Sequence, residues 1–438
     1  MTRRMKDSGV EWIGEIPEKW EMRRLKTCLR KEKNIVNKHE GQRILSLTMN
    51  GVIVRDIANP KGKMPTTFDG YQEIKSGNII ECLFDIDVTP RCVGIARDDG
   101  LISPAYTQFK IINSFDTEFV YHYLLLLDND KIIVPITKSL RNTIKSDDFL
   151  NLPFSFPSLE MQKKIVKELK LKMESVDRII SETKESIIEL KKYKQSLITE
   201  TVIKGLDKDV EMKDSEIEWI GCIPKHWTKA RVKNLFFLRG RIGWQGLTSK
   251  EYQTEGAHLI TGTDFNSGKI NWATTVRISE ERYNEAPEIH VRDNDLLITK
   301  DGTIGKVAIS KNTPENVSLN SGVMLMRERK NNVVKKKYIY YVLISDVFWR
   351  WYGSNDIGSS TIKHLYQGQF QNFSFPLPDA ADQKKIIKLL DTKIQIVEEL
   401  IANKEQIIKE YLCYKKTLIY EYITGKKEVL GGEFVDRK

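Results

Sequence analysis

The strongest constraint on this chain is that it is written twice. The segment Lys6 to Trp20 returns as Lys213 to Trp227 with ten of fifteen positions identical, including Trp12/Trp219, Gly14/Gly221, Pro17/Pro224 and Trp20/Trp227. A second set of matches closes each half. Thr143-Ile144-Lys145 returns as Thr361-Ile362-Lys363, Phe154-Ser155-Phe156-Pro157 as Phe373-Ser374-Phe375-Pro376, and Gln162-Lys163-Lys164-Ile165 as Gln383-Lys384-Lys385-Ile386. Between these borders, residues 21–142 and 228–360 show no similarity to each other. An internal repeat governs the fold before any local reading. A constant frame with two unlike inserts suits a protein that reads two unlike things at a fixed separation.

The frame also contains long helices. From Val166, a positions Val166, Met173, Ile180, Ile187 and Lys194 alternate with d positions Leu169, Val176, Thr183, Leu190 and Leu197. The second copy has a positions Ile387, Ile394, Ile401, Ile408 and Lys415 and d positions Leu390, Val397, Lys404, Tyr411 and Leu418. Eight of ten are apolar in each, and the polar breaks coincide, Thr183 on Lys404 and Lys194 on Lys415. A sustained seven-residue repeat with a narrow apolar seam is a coiled-coil signal. The plainer alternative is one amphipathic helix on each domain; the matched registers favour two helices packed on each other. Five heptads span about 52 Å at 1.5 Å per residue, more than the roughly 34–36 Å of one DNA turn. Gly205 within the charged run reads as helix end and linker, and Gly425 ends the second helix. The division is therefore 1–157, a first module; 158–204, a central helix; 205–212, a linker; 213–378, a second module; 379–425, a C-terminal helix; and 426–438, a tail.

The inserts read as mixed α/β. Residues 44–55, Ile79 to Phe84 and Tyr106 to Ile112 are strand-like, with turns at Asn50-Gly51, Ser76-Gly77 and Asp98-Asp99-Gly100, and Thr117 to Leu127 reads as a helix. In the second insert Leu259-Ile260, Asp295 to Thr299, Lys306 to Ser310 and Gly322 to Arg327 are strand-like, Asp301-Gly302 is a turn, and Lys337 to Trp351 reads as one helix. The most apolar stretch, Val120 to Leu127, is far short of the roughly 20 residues of a membrane span. The basic start, Met1 to Asp7, is followed by no apolar run, so no secretory signal is expected and the expected location is cytoplasmic. Five cysteines, odd in number and widely spread, with no C-x-x-C pair, point to neither a zinc site nor a disulfide framework. The net charge is +10, and residues 213–378 carry +6 of it, which suggests a polyanionic partner.

Taken together, Trp-Ile-Gly-x-Ile-Pro-x-x-Trp twice, and Phe-Ser-Phe-Pro followed by Gln-Lys-Lys-Ile and a long helix twice, resemble the specificity subunits of type I restriction-modification systems. Residues 295–307, Asn320 to Met324 and Gly358 to Thr361 look like patterns of that family's target recognition domains; Leu47 to Val52 and Cys82 to Val93 resemble another recognition-domain type. The resemblance implies an α+β fold: two mixed α/β target recognition domains separated by two long helices that form an antiparallel coiled coil, with a pseudo-twofold internal repeat. It implies a non-catalytic subunit that recognises a bipartite, asymmetric sequence in double-stranded DNA. The helices would act as a ruler and bind two modification subunits, which methylate adenine with S-adenosylmethionine. Two restriction subunits can add and cleave DNA with ATP and magnesium. No cofactor is expected in this chain. The residues agree. No Pro-Pro is present for an adenine-methylating motif. Gly302 to Val307 ends like a phosphate loop but is two residues short, with Val307 where Ser or Thr would hold magnesium; a tight turn is the better reading. Two rivals remain open, a scaffold joining two protein ligands and a self-sufficient DNA-modifying enzyme.

DNA contacts are expected from Lys and Arg on phosphates and from Arg, Lys, Asn, Gln, Ser or Thr on base edges. The polar loops before each Phe-Ser-Phe-Pro supply Arg141, Asn142 and Lys145 in the first half and Ser360, Thr361, Lys363 and His364 in the second. Further candidates are Asn50, Arg55, Lys61, Lys63 and Arg91 in the first insert, and Arg241, Gln245, Lys300, Thr303 and Lys306 in the second. A basic stretch follows each frame motif, either a solvated surface or a phosphate contact. The frame tryptophans either pack on the helix pair or meet a partner.

Overall fold

The computed structural model describes residues 4–60, 64–137, 139–241, 247–329, 333–355 and 364–429. Two compact units divide the chain, residues 1–184 with 405–438, and residues 185–404. Each holds one frame copy, one insert and a stretch of both long helices.

In the first unit the chain runs through β1 (Glu21–Arg24), β2 (Leu29–Glu32), the hairpin β3 (Leu45–Thr48) and β4 (Gly51–Val54), β5 (Ile79–Glu81), β6 (Val93–Ile95), β7 (Thr107–Ile111) and α1 (Thr117–Asn129). Then β8 (Pro153–Phe156) leads into the long helix α2 (Leu159–Lys204). An antiparallel sheet forms in the order β2-β7-β5-β6. Helix α1 starts where the Asp116 carboxylate accepts the Phe119 N–H, 3.0 Å. It buries Phe119, Tyr123 and Leu124 in one core with Ile79, Val93 and Phe109.

The second unit contains β9 (Thr228–Arg231), β10 (Phe236–Gly240), β11 (Ala257–Ile260), β12 (Leu296–Thr299), β13 (Val307–Ile309), β14 (Val317–Leu319) and β15 (Val323–Glu328). Helices α3 (Lys336–Ile344) and α4 (Asp346–Asn355), strand β16 (Ser374–Leu377) and the long helix α5 (Ala380–Ile423) follow. Its antiparallel sheet has the order β10-β15-β12-β13. The run expected as one helix over Lys337 to Trp351 is two, because the chain turns extended at Ser345. The Ser345 hydroxyl donates to the Val342 carbonyl, 2.7 Å, and accepts from the Val347 N–H, 3.2 Å, closing one helix and opening the next.

The two inserts are more alike than their sequences indicate. Leu29 pairs with Ile111 as Phe236 pairs with Glu328; Phe109 with Ile79 as Met326 with Leu296; Ile79 with Ile95 as Leu296 with Ile309. One four-stranded sheet, in one register, stands in both. Sheet positions require only side chains that suit a buried pleated surface, so letters diverge while pairing persists. A second correction concerns the repeated tetrapeptide. Strand β8 pairs with β1 so that Phe154 faces Arg23 and Phe156 faces Glu21; β16 pairs with β9 so that Phe375 faces Ala230 and Leu377 faces Thr228. The structural counterpart of Phe154 is therefore Phe375, two residues beyond the letter match at Phe373.

Every a and d position of both long helices is buried or half-buried. The first unit's two helical stretches run antiparallel: Lys415 Nζ meets Asp177 at 2.7 and 2.8 Å, and Tyr422 OH donates to Glu168, 3.4 Å. The second unit joins Lys194 Nζ to Glu398, 2.9 Å. The repeat carries Asp177 onto Glu398 and Lys194 onto Lys415, so the two matched seam lysines make equivalent ion pairs with donor and acceptor helices exchanged. A lysine at an a position costs stability but can fix register.

The frame fastens insert to helix. The Gln162 amide donates to the Pro157 carbonyl, 2.9 Å, and accepts the Asp116 N–H at the start of α1, 2.9 Å. Gln383 donates to Pro378, 2.9 Å, and accepts the Lys335 N–H at the start of α3, 2.7 Å. Trp20 is buried beside Gly425, just past α5, and Trp227 beside Gly205, just past α2. The Trp227 indole also donates to Asp382, 3.1 Å. No helix among the described residues is long and apolar enough to cross a membrane.

Candidate nucleic-acid interface

Loops at one end of the second unit's strands converge. The Asn320 N–H bonds the Ile260 carbonyl, the Lys300 N–H the Gly322 carbonyl, and the Leu365 N–H the Lys300 carbonyl, at 2.8–2.9 Å. Thus the turns after β11, β12 and β14, and the segment at His364, form one surface. It carries the polar side chains of Thr261, Thr263, Thr303, Asn320, Ser321 and His364, residue types that can hydrogen-bond a base edge; Thr261 is bonded to Thr263 and Asp264, and Asn320 to Tyr252. The turn Lys300 to Lys306 is held from behind by Gly305. Its φ is +80°, and a Cβ there would lie 2.7 Å from the Trp349 ring. This is the tight turn expected of Gly302 to Val307. Thr303 is exposed and Lys300 half-buried. The Lys306 ammonium is held by the Gly262 carbonyl, 3.0 Å, and the His364 imidazole by Asp301.

Arg241 is a different case. It is 2% exposed, and its guanidinium donates to the Leu319 carbonyl, 2.9 Å, and the Ser318 hydroxyl, 3.0 Å. The expectation of a DNA contact there gives way to an internal brace on β14. Gln245, Ser360, Thr361 and Lys363 lie outside the described residues.

In the first unit the turn before β8 is bonded to the loop between β5 and β6. The Asp85 N–H meets the Arg141 carbonyl, 2.9 Å, and the Ile144 N–H the Leu83 carbonyl, 3.0 Å. Lys145 is exposed. The Arg141 guanidinium folds back onto Asp85, with Nε 2.9 Å from Oδ1, and holds that carboxyl below its ordinary range. The Asn142 side chain accepts from the Thr137 hydroxyl, 2.9 Å. The loop's base is braced by charge. Buried Asp128 receives Arg91, 2.8 Å, Lys131, 2.8 Å, and the Cys92 N–H, 3.1 Å. Arg91 is thus engaged inside the unit. Burial, then the Asp128 charge, push the neighbouring Glu81 carboxyl well above the usual range. Asn50 is exposed at the tip of the β3–β4 hairpin, where Gly51 has φ +87°. Arg55 is half-buried in a groove shared with Leu47, Ile53 and Tyr106. Lys61 and Lys63 lie outside the described residues.

The basic stretches after the frame motifs are partly engaged along their strands: Arg23 with Glu21, Arg24 with the Asn151 carbonyl, Lys229 with Glu216 and Lys233 with Asn372. Thr261, Thr263, Asn320 and Ser321 were not among the candidates expected from the sequence; what they share is a short polar side chain just past a buried strand. Among the described residues no group of three or more His, Cys, Asp or Glu is placed to hold a metal ion.

Residues 242–410 match the family described as type I restriction modification DNA specificity domain. The chain is 26% identical over 415 residues to a putative type I restriction enzyme MjaX specificity subunit of Methanocaldococcus jannaschii, covering 88% of this chain and 89% of that one. It is 24% identical over 355 residues to the type I restriction enzyme EcoBI specificity subunit of Escherichia coli, covering 77% and 71%. In fold it is similar to a chain from a structure of the type I R-M system, with TM-score 0.68 at 17% identity, covering 94% and 99%. It is also similar to the HsdS subunit from Thermoanaerobacter tengcongensis, with TM-score 0.51 at 16% identity, covering 94% and 98%.

Proposed function

We propose that the chain is a specificity subunit of a type I restriction-modification system, as its matches support, and that it reads a bipartite, asymmetric sequence in double-stranded DNA, one half with the loop cluster of each unit. The observation that carries this reading is one sheet in one register, presented twice with unlike loops at its ends. A shared scaffold with different loops is how one architecture serves two targets. The subunit itself is non-catalytic. It directs adenine N6 methylation by two modification subunits that bring S-adenosylmethionine, and restriction by two restriction subunits that use ATP and magnesium. The work belongs to the cytoplasm, where the DNA is.

The test is genome-wide methylation mapping after co-expression with the cognate modification subunit. The expected result is one split, asymmetric motif; a single uninterrupted motif, or none, overturns the reading. The helices are the proposed ruler. Four residues added within the helical spacer lengthen it by about 6 Å, roughly two base pairs of rise. The half-sites should stay the same while the gap between them grows.

A further inference from the structure

The turn that follows β12 holds one side chain in a fixed place. The buried Thr299 hydroxyl accepts the Lys306 N–H, 2.9 Å, and donates to the Thr303 carbonyl, while the Gly305 N–H bonds the Thr299 carbonyl, 3.0 Å. Asp301 sits in this turn, and its carboxylate takes Nδ1 of His364. The backbone at His364 is pinned on both sides: the Leu365 N–H bonds the Lys300 carbonyl, 2.8 Å, and the Tyr352 hydroxyl donates to the His364 carbonyl, 3.3 Å. The imidazole is 37% exposed, and among the described residues no hydrogen bond reaches its Nε2. The ring of Tyr366, 60% exposed, stands beside it with centroids 5.7 Å apart. An ion pair this open to water adds little to stability. What the pair does settle is the tautomer. A carboxylate only accepts, so Nδ1 carries the proton and the neutral ring presents a lone pair at Nε2. In the major groove the donors that such a lone pair can meet are the exocyclic amino groups, N6 of adenine and N4 of cytosine; guanine and thymine offer acceptors at the matching positions.

We infer that His364 reads the exocyclic amino group of one base in the second unit's half-site through Nε2, with Asp301 as the positioning residue that fixes its tautomer. The inference rests on the DNA-reading function proposed above and names the chemical group that one side chain of that surface recognises. Lys300, in the same turn, has an ammonium with no hydrogen bond or ion pair among the described residues, which leaves it to meet a phosphate. Asp264, under the same loops, adds no competing acceptor, because it is buried and bonded to Thr261 and Thr274.

The experiment uses the chain in complex with its cognate modification subunits and short duplexes carrying the mapped motif. At each position of the half-site, purine replaces adenine or 2-pyrimidinone replaces cytosine, which removes the amino group and keeps the ring. At one position the parent should lose about fivefold in affinity beyond what His364→Ala loses there, the worth of one neutral hydrogen bond. His364→Ala should bind the natural duplex about fivefold more weakly and match the parent's losses at every other position. His364→Gln, whose amide oxygen also accepts, should keep part of the sensitivity. In Asp301→Asn the amide can donate to Nδ1 and so pass the proton to Nε2, and the amino sensitivity should fall with the imidazole still in place. Losses in His364→Ala equal to the parent's at every position overturn the inference and leave the DNA-reading function standing. A His364-dependent loss on 7-deazaguanine duplexes instead also overturns it, since Nε2 would then be donating. A parent complex that does not prefer the mapped motif over a scrambled duplex overturns both. A fold defect would weaken the natural duplex without abolishing the sensitivity at a single position, so loss of contact and loss of fold are separable.

Discussion

Replacing the frame glutamines with leucine tests how the frame holds its inserts. Gln162 and Gln383 are each 1% exposed. In Gln162→Leu the Asp116 N–H loses its acceptor and the Pro157 carbonyl loses a donor. In Gln383→Leu the Lys335 N–H, the Pro378 carbonyl and a 3.2 Å bond to the Val333 carbonyl are lost together. A buried donor left without a partner costs about 1–3 kcal/mol, whereas a carbonyl with two lone pairs tolerates the loss better. Leucine's own apolar burial offsets part of this. The net expectation is about 2 kcal/mol per variant, with Gln383→Leu the larger because a third bond goes. Hydrogen exchange reads it directly: amides at the start of α1, such as Val120, should exchange roughly thirty-fold faster in Gln162→Leu, and those of α3, such as Ile339, in Gln383→Leu. A change below about threefold in the variant's own unit would refute the idea that these glutamines fasten insert to helix.

Gly425→Ala should destabilise more than Gly205→Ala in thermal unfolding. Both positions have φ above +70°, which costs an ordinary residue about 1–2 kcal/mol, but the new Cβ at 425 lies 2.7 Å from the Pro17 ring and that at 205 lies 3.0 Å from Trp227. Arg241→Met should lower the stability of the second unit by about 2 kcal/mol in denaturant titration, because the Leu319 carbonyl and Ser318 hydroxyl lose their donor. An unchanged midpoint with weaker DNA binding would return Arg241 to the DNA face. Burial holds the His122 imidazole below its ordinary 6.5, against the Glu118 carbonyl which raises it. Below that pH the unfolded chain takes up a proton that the folded chain resists, so the first unit should lose stability as pH falls through about 6.5. The denaturant midpoint at pH 7.5 and 5.5 measures the loss, and His122→Gln should reduce it.

The parts legible in the sequence were those written redundantly. Ten heptad positions per helix carry the seam, so two polar breaks could not hide it, and the structure then gave Lys194 and Lys415 their carboxylates. The shared sheet was illegible because Ile79 and Leu296 do the same job with different letters. Arg241 misled because an arginine after a glycine-rich strand end looks solvent-bound; what buries it is β14, about eighty residues later. Arg91 misled likewise, since Asp128 meets it from the far end of α1.

The offset at the tetrapeptide bears on how hybrids of such chains should be joined. A designer who spliced the two halves at the identical letters, Phe156 followed by Pro376, would carry two extra residues between strand and helix. The pleat would survive, since two residues restore the same face of a strand. The helix would not keep its place: the two extra residues are extended chain and shift its start by up to about 7 Å. The heptad seam would then fall out of step with its partner helix, and Gln383 would miss the backbone N–H at the start of the insert's helix. The workable seam is Phe156 followed by Pro378, where hydrogen bonds rather than letters define the match.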